Sequence, residues 1–124
     1  MELTGTHRVL WISRHIMTKE QMADLERVMG GPVELMRWTD TVDDVRALRP
    51  LVEQADAVAA VLPVEKMEDL LEIADGRPVL LAKSGRIPTG RWMTQPNGAT
   101  EREFAFRHLG WQQILQIRLR IRTL

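Results

Sequence analysis

Three short stretches of this chain are apolar without a break: Val9 to Ile12, Ala57 to Leu62 and Val79 to Ala82. A strand that shows one face to water alternates apolar and polar residues, whereas an unbroken apolar run marks a strand covered on both faces, as in a parallel sheet. Parallel strands need crossover connections, and the segments between the runs supply them. Lys19 to Met29 carries Met22, Leu25, Val28 and Met29 at helical spacing, with Gly30-Gly31 to end it. Pro32 opens a further strand, Val33 to Trp38. Thr39-Asp40-Thr41 follows, with Thr41 placed to cap a helix over Val42 to Gln54 that Pro50 should kink or restart. After Pro63, the spacing of Met67, Leu70, Leu71 and Ala74 predicts a third helix ending at Gly76. The order β-α-β-α-β-α-β predicts one doubly wound, Rossmann-like α/β domain over residues 1–124 with a mainly parallel sheet.

Beyond Ala82, where the fourth strand is expected to finish, the pattern changes. Gly85 to Thr100 holds three glycines and two prolines, and reads as a loop or protruding hairpin inserted at about 85–100, with Asn97-Gly98 as its turn. Trp92 and Met93 inside it predict that it folds over the body, a ligand or a partner. Phe104 and Phe106 then alternate with Ala105 and Arg107. From Ile114 onward Leu115, Ile117, Leu119 and Ile121 alternate with Gln116, Arg118, Arg120 and Arg122. These two segments predict a C-terminal antiparallel hairpin on a sheet edge, its arginine row either guarding that edge or offering a nucleic-acid surface.

The formal net charge of zero conceals a split. Residues 1–82 hold 9 basic and 15 acidic side chains, and residues 83–124 hold 8 and 2. Cysteine is absent, which excludes disulfides and thiolate metal sites. The opening Met1 to His7 has neither the basic nor the apolar region of a signal peptide, and no apolar stretch approaches the roughly 20 residues that span a bilayer. A cytoplasmic protein without membrane contact is therefore expected.

Ligands of open α/β sheets lie beyond the carboxyl ends of the strands. Those ends collect Ser13, Arg14 and His15, then Thr39 and Asp40, then Pro63 to Lys66, then Lys83, Ser84 and Arg86. Thr18 and Gln21 form a capping-box pattern, and helix starts at Thr18, Thr41 and Pro63 add N–H donors and positive dipole ends. An anionic small molecule bearing phosphate is the expected ligand. The glycine patterns of dinucleotide and triphosphate sites are missing, and His7, His15 and His108 lack metal-ligand spacing, so neither a metal nor another cofactor is expected. Metal-free cleavage of an RNA-type phosphodiester asks only that the substrate's 2′-hydroxyl be held in line and the charge on phosphate be met. Ser13, Arg14, His15 and Lys83 are the candidate catalytic set, and Thr18, Thr39, Pro63, Lys66, Ser84 and Arg86 the candidate binding set. The plain structural alternative is that the serines make turns and His15 covers a helix start.

The Ser13-Arg14-His15 elbow, the Met17 to Gln21 helix start and the Val58 to Pro63 strand exit resemble the small Rossmann-like proteins of type III CRISPR loci and phages. Some of these are ring nucleases that open cyclic oligoadenylate messengers in antiviral defence. The resemblance covers about the first two thirds of the chain, and the insertion at Gly85 to Thr100 departs from it. It implies a homodimer, because a cyclic oligonucleotide of even size has a two-fold axis that two facing rims would complement. It also implies that Arg14 and Lys83 grip phosphates while Ser13 or His15 orients the sugar. A second possibility is a binding protein without turnover, a nucleotide sponge or an inhibitor of a defence protein, with Trp38, Trp92 and Trp111 as anchor candidates.

Overall fold

The computed structural model describes residues 5–118 and 120–124. Its strands are β1 (His7–Ile12), β2 (Val33–Trp38), β3 (Ala57–Ala60), β4 (Val79–Thr94) and β5 (Thr100–Gln113). Its α-helices are α1 (Lys19–Met29), α2 (Arg49–Glu53) and α3 (Val64–Ala74). The five strands form one sheet in the order β2-β1-β3-β4-β5. β1 runs parallel to both β2 and β3, and β3 to β4, while β5 returns antiparallel along β4.

The unbroken apolar run of β1 has the predicted consequence: Val9, Leu10, Trp11 and Ile12 are all buried, and they divide between two cores. Leu10 and Ile12 pack with Val45, Val52, Leu70 and Ile73, beneath α2 and α3. Val9 and Trp11 pack with Leu25 of α1, Ala57, Ala59 and Leu80. The sheet is thus covered on both faces, and the chain is a Rossmann-like α/β domain with an antiparallel C-terminal hairpin. Among the described residues no helix is long and apolar enough to cross a membrane.

α1 begins with the full capping box, Thr18 Oγ1 accepting from the Gln21 N–H at 3.0 Å and Gln21 Oε1 from the Thr18 N–H at 2.9 Å. It ends at Gly30, whose φ of 80° is left-handed. Val28 departs from the predicted apolar face and is 40% exposed. At 3.6 residues per turn it points about a quarter-turn away from the mean direction of Met22, Leu25 and Met29. The expected helix over Val42 to Gln54 is instead a 3-10 turn, Val45–Leu48, followed by α2. Asp44, not Thr41, caps the turn, accepting from the Arg46 N–H at 3.0 Å. Pro50 restarts the helix, because in the first turn of α2 its missing N–H has no partner to lose.

The largest correction concerns the C-terminal third. β4 does not end at Ala82 but spans 16 residues, from Val79 to Thr94, so the predicted insertion at Gly85 to Thr100 is the outer half of a β-ribbon. The turn lies where Asn97-Gly98 marks it: Gly98 donates to the Gln95 carbonyl at 2.9 Å with φ 86°. Among the described residues nothing covers Trp92 and Met93, which are 64% and 51% exposed. The partner of β4 is β5, so the segment from Ile114 is not the second hairpin strand. Ile114 donates to the Val79 carbonyl at 2.8 Å, and Ile114 and Ile117 pack on the α2–α3 core. β4's edge is occupied by β5, the alternating segment pairs with no strand among the described residues, and Arg118, Arg120 and Arg122 line no strand. Leu119 of that pattern lies outside the described residues, as do residues 1–4.

Candidate functional site at the strand ends

The chain leaves β1 toward β2 on one side and later reaches β3 on the other, so the sheet's direction of growth reverses between β1 and β3. Main-chain groups diverge there and leave a crevice beyond the carboxyl ends. A cavity of about 350 Å³ occupies this place, lined by Ser13, Arg14 and His15 after β1, Asp40 and Thr41 after β2, and Pro63 and Lys66 at the start of α3. A second cavity on the α1 face shares Ser13 and His15 and adds Thr18, Gln21 and Ser84.

The elbow is held from within. Ser13 donates its N–H to the Trp38 carbonyl at 3.1 Å, and its hydroxyl accepts from the His15 N–H at 3.0 Å. Trp11 Nε1 donates to the His15 carbonyl at 2.9 Å. Ser13 is buried, 7% exposed, whereas Arg14 and His15 stand in solvent. Arg14 donates to the Thr41 hydroxyl and Lys66 to the Val42 carbonyl, so both cations are tied to the loop after β2. Their attachment at a known place on the rim lowers the side-chain entropy an anion would otherwise have to remove.

The two helix starts at the rim differ. In α1 the capping box satisfies the Thr18 and Gln21 donors. In α3, Pro63 has no side chain that can cap, and its carbonyl receives the Lys66 and Met67 N–H groups at 3.0 Å each. The N–H groups of the first turn of α3 have no side-chain cap, and with Arg14, His15 and Lys66 they favour negative charge in the cavity between the ends of β1 and β3. Among the described residues Asp40 is the single carboxylate lining it. Comparison with protein-family models, curated proteins and solved structures gives no match to this chain.

Of the residues chosen from sequence, Ser13, Arg14, His15, Pro63 and Lys66 come together around one cavity. Thr18 and Ser84 line the neighbouring one. Thr39 precedes Asp40 on the same rim without lining either cavity. Lys83 lines neither, because β4 runs on past it and it sits within the ladder opposite Gly110. Arg86 is likewise carried away from the rim and stacks on the Phe104 ring, 4.3 Å from its centroid. Among the described residues no group of three or more His, Asp or Glu side chains is placed to hold a metal ion.

Sequence reasoning missed a polar cluster at the root of the ribbon. His108 Nε2 meets Asp24 Oδ2 at 2.7 Å, with the imidazole 5% exposed and Nδ1 unpartnered among the described residues. Trp111 donates to the Gln21 carbonyl at 3.1 Å and stands edge-on to Trp11, ring centroids 6.0 Å apart. The hydrogen bond from His108, then that from Arg27, holds the Asp24 carboxyl below the usual carboxylate range. Asp24 and His108 are 84 residues apart, and no local spacing connects them.

Proposed function

We propose that the crevice beyond β1 and β3 binds a phosphate-bearing nucleotide, that a cyclic oligoadenylate is the best-fitting ligand, and that the protein opens it without a metal. The observation that carries this reading is the convergence of Arg14, His15, Lys66 and the uncapped start of α3 on one cavity. In the reaction the ligand's 2′-oxygen attacks the adjacent phosphorus and the P–O5′ bond breaks. The 2′ proton is lost, the 5′-oxygen takes one up, and a linear product with a 2′,3′-cyclic phosphate is left. Arg14 and Lys66 offset charge on the non-bridging oxygens, and His15 supplies the proton to the leaving oxygen. Ser13, buried and engaged as an acceptor, shapes the turn rather than attacking.

A cavity of about 350 Å³ is small for a ring of four or six nucleotides. Two rims related by a two-fold axis would enclose such a ring, which supports a homodimer. A second reading, a sponge that binds without turnover, is favoured by one feature: among the described residues the His15 ring has no hydrogen-bond partner to orient it, only its main chain being bonded.

Incubating the purified protein with cyclic tetra- and hexa-adenylate, with and without a chelator, decides between them. Linear product in both conditions supports the enzyme, and ligand recovered intact from the denatured complex supports the sponge. Full activity after Arg14→Ala combined with His15→Ala would overturn the assignment.

A further inference from the structure

Past Lys83 the β4–β5 ribbon carries large side chains that the described part of the chain leaves open: Trp92, Phe104 and Phe106 are 64%, 38% and 77% exposed. Their register sorts them. Residues opposite one another in an antiparallel pair share a face, as do alternate residues along a strand. The pairs Arg86 with Phe106, Pro88 with Phe104 and Trp92 with Arg102 therefore put three rings and two guanidiniums on one face. The contacts agree, Arg86 lying 4.3 Å from the Phe104 centroid and Arg102 5.6 Å from that of Trp92. Glu101 and Glu103, the only acidic residues beyond position 82, occupy the alternate positions and so the opposite face. Between Arg86 and Phe106 the ribbon's own charged side chains on the ring-bearing face are cations alone, and the Asp24 carboxylate meets that face only at the root, on His108.

We propose that this face is a stacking platform for single-stranded nucleic acid. Aromatic rings accept any base, and neighbouring arginines neutralise the phosphates between them. Phe104 and Phe106, two residues apart, are separated by about 7 Å along the strand. That is about twice the 3.4 Å rise of stacked bases, so the rings suit bases splayed apart rather than bases held in a duplex. Beside Trp92, where β4 bulges through Gly90, a cavity of about 190 Å³ lined by Pro88, Arg91 and Arg102 leaves room for a base edge. A second copy of the chain is the rival occupant, since residues 1–82 are acidic. The removal of both carboxylates from the aromatic face favours the polyanion, which is repelled by carboxylates, over a protein surface, which carries both signs.

The test is fluorescence anisotropy with a dye-labelled oligothymidylate, an oligouridylate and a duplex, each about ten nucleotides long, over a range of salt. One or both single strands bind, and the duplex binds at least tenfold more weakly. Each phosphate neutralised contributes about −0.7 to the slope of log affinity against log salt, so Arg86→Gln and Arg102→Gln each flatten it by about 0.7. Phe106→Ala weakens binding roughly tenfold, as loss of one base–ring stack should. Met93→Ala, on the opposite face, leaves binding unchanged. Equal affinity for duplex, a slope indifferent to both arginine variants, or a chain that binds no oligonucleotide at low salt and dimerises through Phe106 overturns the proposal. The outcome is independent of the strand-end crevice and stands or falls on the ribbon alone.

Discussion

The inner and outer parts of β4 obey different rules within one strand. Val79 and Leu80 are 1% and 3% exposed, pinned between the two cores, whereas from Lys83 almost every residue of the strand is half-buried or open to water. In the body, position follows from burial, and each apolar side chain taken fully out of water stabilises by about 1.5–3 kcal/mol. In the ribbon, position follows from the β4–β5 ladder and from the root, where Trp111 and His108 seat β5 against α1. The contrast teaches that the large apolar residues of the ribbon contribute little to holding the fold. Exposed rings of this kind are the surface on which the proposed nucleic-acid platform rests.

The strongest way to break this contrast is truncation on each side of it. Leu10→Ala, at a fully buried site, should cost about 2–5 kcal/mol by the depth of that site in the core. Chemical denaturation measures this, and a loss below about 1 kcal/mol would mean that the body is not where stability resides.

The root gives an intermediate effect with a pH signature. Asp24, depressed below the ordinary carboxylate value, contributes stability that is fully present above about pH 4, the value in the unfolded chain, and is lost as pH falls through its lower folded value. Asp24→Asn should therefore lower stability by about 1–3 kcal/mol near neutrality, leaving the buried imidazole poorly matched. The gap between the two proteins should close in the acid range. A constant gap from pH 6 to about 2 would show that Asp24 does not act through its charge.

The smallest effect sharpens the contrast. Phe106→Ala should shift the denaturation midpoint by no more than about 0.5 kcal/mol, because Phe106 is 77% exposed. A loss comparable to that of Leu10→Ala would instead make the outer ribbon part of the folding unit.

Much of the body was legible because its signals are local. Unbroken apolar runs placed β1, β3 and the start of β4; Thr18 and Gln21 announced their capping box, and Asn97-Gly98 its turn. The rim followed in part, since Ser13, Arg14, His15, Pro63 and Lys66 sit at strand and helix ends that can be located along the chain. Lys83 and Arg86 did not follow, because the end of β4 depends on how far β5 continues to pair with it. The alternation from Ile114 misled for the same reason: period two states a preference for pairing but names no partner.

By itself the amino-acid order determined which segments must be hidden on both sides, where helices start, and hence a parallel sheet wrapped by crossovers. Those are consequences of hydrophobicity and capping acting within a few residues. Only the tertiary structure decided which strand occupies β4's edge, that Arg14 reaches Thr41 and that Asp24 meets His108. Such contacts join residues far apart in the chain, and their energy exists only once the intervening segments have closed.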